Sequence, residues 1–158
     1  MIAKKLTKLF KLLLGFALFF GQNLVIAEVK VSNLDDFVFG RYSGFGNLQS
    51  NDNICINVIP RGRYNVTFWG SGPAGAFEVT NGVDSLAYEL KFNNRPRTTG
   101  GKKVSPGIPL ANQRRASQSL DCPSQLNANI SVSFLAQTLQ AANPGYYQGT
   151  LTLVLAPE

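Results

Sequence analysis

The chain has 158 residues, two cysteines, no histidine and a formal net charge of +6, and 44% of it is hydrophobic. Without histidine it cannot build a Ser-His-Asp or Cys-His nucleophile, and two cysteines alone do not make a zinc site, so no catalytic residue, metal or other cofactor is expected and the chain does not read as an enzyme. The basic balance is less informative than its size suggests, because Lys4, Lys5, Lys8 and Lys11 crowd into the N-terminus.

Those four lysines precede an apolar run over residues 12–20, and Val25-Ile26-Ala27 offers small residues for cleavage. This is the pattern of a secretory signal over residues 1–27, too short to span a bilayer, so no transmembrane anchor is expected after cleavage. Residues 28–158 are enough for one domain with a real core. That mature stretch holds 11 basic residues against 9 acidic ones, a balance of only +2, and export makes a nucleic-acid partner unexpected. In an oxidising compartment Cys55 and Cys122 most simply pair with each other, a closure worth roughly 4 kcal/mol on the chain-entropy model.

Beyond the signal the pattern is strand, turn, strand. Residues 28–32 alternate, and Phe37-Val38-Phe39 does so more loosely, with Asn33 and Gly40 as boundaries. A turn-rich connection over residues 40–53 leads to strands at 53–58 and 63–69, the latter with Tyr64, Val66 and Phe68 on one face. Strands at 76–79 and 86–92 flank the turn Asn81-Gly82. Residues 126–134 place Leu126, Ala128, Ile130, Val132 and Phe134 on one side, and 134–142 hold at most one helical turn before Pro144. Short strands at this spacing with Gly, Pro and Asn between them indicate an all-β antiparallel sandwich or barrel.

Several tempting features have plainer readings. Gly70-Ser71-Gly72-Pro73-Ala74-Gly75 fits G-x-G-x-x-G, but Pro73 and the strand-like Phe77-Glu78-Val79 leave no helix to meet a phosphate, so it reads as a hairpin turn. Asn65-Val66-Thr67 and Asn129-Ile130-Ser131 fit the glycosylation pattern inside expected strands. Asp35 and Asp36 are neighbours in extended chain and point apart. Between Lys91 and Gln118 lie seven basic residues and no acid, either a solvated excursion or a contact for a polyanion. Trp69 falls on the face opposite Tyr64, Val66 and Phe68. The possible ligand contacts are therefore Trp69, Arg95, Arg97, Lys102 and Lys103.

The most regular strand comes last. From Tyr147 the odd positions read Tyr147, Gly149, Leu151, Leu153, Leu155, with polar residues or Val154 between them. No spare apolar strand follows to cover it, and an open apolar edge is a template for pairing with another chain. Tyr147, after Pro144-Gly145, also sits where a sandwich places a tyrosine corner.

Phe37-Val38-Phe39-Gly40-Arg41-Tyr42 resembles the F-x-F-G-x-Y signature of the spore coat protein U domain, a family of secreted subunits that includes archaic chaperone–usher pilins. Four further elements follow in the family's order: Ile54-Cys55-Ile56, Gly62-Arg63-Tyr64-Asn65-Val66, Leu86-Ala87-Tyr88-Glu89-Leu90 and Gly145 to Leu153. The resemblance covers almost all of residues 28–158. It implies an incomplete immunoglobulin-like antiparallel β-sandwich lacking its final strand, held by a periplasmic chaperone, passed through an usher and completed by a neighbouring pilus subunit's strand. The groove for that strand is expected between Phe37, Phe39 and Leu151, Leu153, Leu155. The implied function is a structural subunit of a cell-surface fibre (fimbrium, cell adhesion), reached through the periplasm. The shortness of residues 28–33 points to a terminal or minor subunit that accepts a strand better than it gives one. The alternative is a self-contained secreted module that binds glycan or another anionic surface ligand.

Overall fold

A computed structural model describes residues 26–123 and 125–158. The expected signal lies outside the described residues except for Ile26 and Ala27, both exposed. The described residues form ten strands, β1 (Glu28–Ser32), β2 (Leu48–Ile59), β3 (Tyr64–Trp69), β4 (Glu78–Thr80), β5 (Ser85–Ala87), β6 (Glu89–Asn93), β7 (Lys102–Lys103), β8 (Leu110–Gln113), β9 (Ala128–Phe134) and β10 (Thr152–Pro157), with one short α-helix, α1 (Ala136–Gln140), and a single 3-10 turn at Pro73–Gly75.

Two antiparallel sheets carry the core. One has the order β1-β2-β9-β6-β7 and the other β10-β3-β8, while β4 and β5 form a separate hairpin. The alternation that marks each strand decides what lies between the sheets. Ile54, Ile56 and Val58 of β2, Ile130 and Val132 of β9, and Leu90 and Phe92 of β6 meet Tyr64, Val66 and Phe68 of β3 in a single cluster. Phe68 and Phe92 stand 5.9 Å apart between ring centroids, joining the two layers. Each such side chain taken fully out of water contributes about 1.5–3 kcal/mol, which makes this cluster the main source of stability.

The strand order β1-β2-β9-β6 facing β10-β3 is that of A-B-E-D facing F-C in an immunoglobulin-like sandwich. In that architecture a final strand, G, lies beside F. Among the described residues nothing pairs with the free edge of β10.

The disulfide between Cys55 and Cys122 forms, with 5.6 Å between Cα atoms. It fastens the 114–127 crossing to the outer face of β2. Ser117 continues that attachment, its N–H donating to the Ile56 carbonyl and its own carbonyl accepting from Val58 N–H. Asn127 adds two more bonds to Ile56. Cys55 and Asn57 are thus buried although they point away from the core.

The structure departs from the sequence expectations in five places, the first being that β2 begins at Leu48, so residues 48–52, expected within the turn-rich connection, are strand paired with β9. Phe37–Phe39 is not a strand: the alternation is there, but no neighbouring strand pairs with it. The expected strand at 86–92 is broken at Tyr88 into β5 and β6, which belong to different sheets. The 91–118 segment contains β7 and β8, so it is partly sheet and not one excursion. The last strand starts at Thr152, because residues 147–150 first bond elsewhere: Gln148 bridges Thr80, and Thr150 N–H donates to Ser71 Oγ. Gly149 allows that passage, since a Cβ there would lie 2.6 Å from Ser71 Oγ and 2.9 Å from the Glu78 carbonyl oxygen.

Candidate functional site

The side of the sandwich bounded by β1 and β10 is built differently from the rest. β10 pairs with β3 in register, Leu153 opposite Phe68 and Leu155 opposite Val66, so its leucines share the inward face of two residues with no exposed surface at all. Leu151, Leu153 and Leu155 are nevertheless only half-buried. On the facing edge strand, Val29 and Val31 sit opposite Val58 and Ile56, again on the core side and again half-buried. An inward row becomes half-buried when it has a neighbour on one side only. The outward Val154 is exposed, giving β10 an apolar residue on its solvent face as well.

Between β1 and β2 the chain runs through residues 33–47 without joining a sheet. Phe37 and Phe39 pack on the core, half-buried, whereas Leu34 and Val38 between and before them are exposed. Among the described residues, the main chain of residues 36–43 makes no hydrogen bond; Asp35 N–H donates to Asp52 Oδ2 and Gly44 carbonyl accepts from Gln140 just outside it. The stretch is largely exposed, so water can pair its backbone groups, and they stay available to a neighbouring strand. Phe37, Phe39, Leu151, Leu153 and Leu155 all pack, half-buried, against the same core cluster. Val29 and Val31 join them; the sequence singled these two out only as a short alternating pair.

Tyr147 is placed by its hydroxyl, which donates to the Asn143 carbonyl at 3.0 Å, four residues upstream. That is the bond a tyrosine corner makes ahead of a penultimate strand. It fixes the chain's approach to β10.

The basic residues and Trp69 lie elsewhere and do not form one group. Trp69 is half-buried between two turns: a Cβ at Gly75 would fall 2.7 Å from its Cδ1, and one at Gly107 would fall 3.1 Å from its Nε1. Lys103 bonds Glu89, holding that carboxyl below its usual range, and Lys102 sits beside it in β7. Arg95 and Arg97, by contrast, line one pocket together with Arg115 and Gln125, two residues that sequence reasoning did not single out. Among the described residues no three His, Cys, Asp or Glu side chains gather into a group that could hold a metal ion. The chain matches no family model and no curated protein sequence.

Proposed function

We propose that the chain is a secreted structural subunit of a surface fibre, completed when a strand from another subunit lies along β10. The observation that carries this reading is the half-burial of Leu151, Leu153 and Leu155 beside the fully buried Val66 and Phe68 of β3. An added strand would gain main-chain bonds from the free edge of β10 and would cover that apolar row with alternate side chains. Finishing the burial of five half-exposed aliphatic side chains contributes about 1 kcal/mol each, roughly half of a full transfer.

The resemblance to the spore coat protein U domain supplies the rest of the proposal: a periplasmic chaperone that holds the edge in transit, an usher, and neighbouring subunits. The local structure favours a receiving role. Val29 and Val31, the apolar pair available near the expected mature N-terminus, are already committed to β1 of the same molecule. A subunit that receives without donating belongs at the end of a fibre or in a minor position.

The proposal is tested by recovering the exported chain from its own cells. It should come bound to a second polypeptide and aggregate when stripped of it. A solitary exported chain that unfolds cooperatively and reversibly overturns the reading.

A further inference from the structure

The connections that leave β6 and β8 and enter β9 border an open pocket of about 350 Å³ lined by Arg95, Pro96, Arg97, Arg115 and Gln125. All three arginines are exposed, and none forms an ion pair among the described residues, where the salt bridges are Lys30 with Glu28 and Lys103 with Glu89. Residues 90–120 contain no acid, and the first beyond them, Asp121, does not line the pocket. Three cationic residues lining one pocket, with no acid among its walls, give it a positive potential that favours an anion.

The walls are held in place by the fold. Asn93, at the end of β6 and nearly buried, donates from Nδ2 to the carbonyls of Arg97 and Thr99, and Arg97 N–H donates to the Arg95 carbonyl. On the other side Gln125 N–H donates to the Cys122 carbonyl, and Cys122 is covalently tied to β2. Ser117, two residues beyond Arg115, is bonded to β2 on both its main-chain groups. Turns fixed in this way need no further ordering of their main chain, so binding has only the arginine side chains to immobilise.

We propose that this pocket binds the phosphate or sulfate group of an anionic saccharide. Planar guanidinium forks match the oxygens of a tetrahedral oxyanion two at a time, which a lysine does not do. The volume falls within the range of small-molecule sites and exceeds the needs of a bare ion. Beyond the arginines the lining is Gln125 and the small apolar ring of Pro96, with no aromatic side chain to stack on a base. A polyhydroxylated ring suits it. The pocket shares no strand with the β1–β10 side, so the assignment stands or falls apart from the fibre proposal.

The test is calorimetric titration of the exported, disulfide-bonded protein, with any chain that co-purifies, using glucose 6-phosphate, glucose and inorganic phosphate at low salt. Glucose 6-phosphate should bind with a Kd of about 1 mM or tighter, phosphate several-fold more weakly, and glucose not at all. Arg97→Ala, and Arg115→Gly, which suits the left-handed backbone there (φ 74°), should each weaken binding about tenfold, the loss of one charge-assisted hydrogen bond. The double variant Lys102→Ala/Lys103→Ala should bind as the parent does. Absence of glucose 6-phosphate binding by folded protein, or unchanged affinity in both arginine variants, overturns the site. Inorganic phosphate binding as tightly as glucose 6-phosphate overturns the saccharide.

Discussion

Phe39 meets Phe134 edge-on, with ring centroids 5.0 Å apart and planes at 87°. Phe134 in turn touches Tyr88, and Tyr88 stacks on Phe77, so a row of four aromatic rings runs from the unpaired 36–43 stretch through β9 to the β4–β5 hairpin. Among the described residues the 36–43 stretch is thus docked by side chains, its main chain making no hydrogen bond to the protein. Phe39→Ala should cost about 2 kcal/mol, below the full price of a buried phenylalanine because the ring is half-exposed. Urea unfolding of the parent and variant, each in the same assembly state, measures it.

The disulfide closes a loop of 67 residues and fastens the 114–127 crossing. Replacing both cysteines, Cys55→Ser with Cys122→Ser, should lower stability by about 4 kcal/mol on the chain-entropy model. Reduction of the parent protein should give a curve close to that of the double variant. A double variant as stable as the oxidised parent would show that the crossing is held by the Ser117 and Asn127 bonds alone.

Tyr147→Phe removes one hydrogen bond and leaves the ring. The Asn143 carbonyl loses its partner at an exposed site, so the cost should be about 1 kcal/mol. Thermal unfolding checks this, and a larger loss would mean that the tyrosine corner governs more of the approach to β10 than its one bond.

Burial pushes the phenol of Tyr88 up to about 12 and raises that of Tyr64 further. The folded chain holds these protons more tightly than the unfolded chain, whose tyrosines titrate near 10. Stability should therefore be complete below about pH 10 and fall as the pH rises through about 12. Tyr88→Phe should move the alkaline unfolding midpoint upward while changing neutral-pH stability little. A midpoint that stays put in Tyr88→Phe would assign the alkaline transition to other groups.

The two-residue period was legible wherever one face of a strand is buried, which is why β3, β9 and the leucines of β10 were readable. Alternation reports side-chain burial and not backbone pairing; Phe37 and Phe39 alternate correctly yet form no strand. β7 and β8 were hidden for the opposite reason. Lys102 and Lys103 are both exposed, and they are strand only because β6 offers them an edge. The division at Tyr88 depends on which sheet each half joins, a long-range choice without a local signal. Arg115 was visible in the charge run, but its place beside Arg95 and Arg97 depends on a crossing pinned by Cys122, Ser117 and Asn127. The leucines of the free β10 edge were legible in sequence; the core-side placement of Val29 and Val31 follows only from pairing with β2.

The most direct test of the open edge is to supply the missing strand. A flexible linker and one strand of alternating apolar residues, fused after Glu158 of the mature chain, should pair with β10, raise unfolding free energy by about 5 kcal/mol and slow hydrogen exchange along β10. The same fusion carrying Leu153→Lys should lose most of that gain, since a charge would then sit in the row to be covered. If the unfused mature chain is already cooperative and the fused strand changes neither its stability nor the exchange of β10, the edge is not an acceptor.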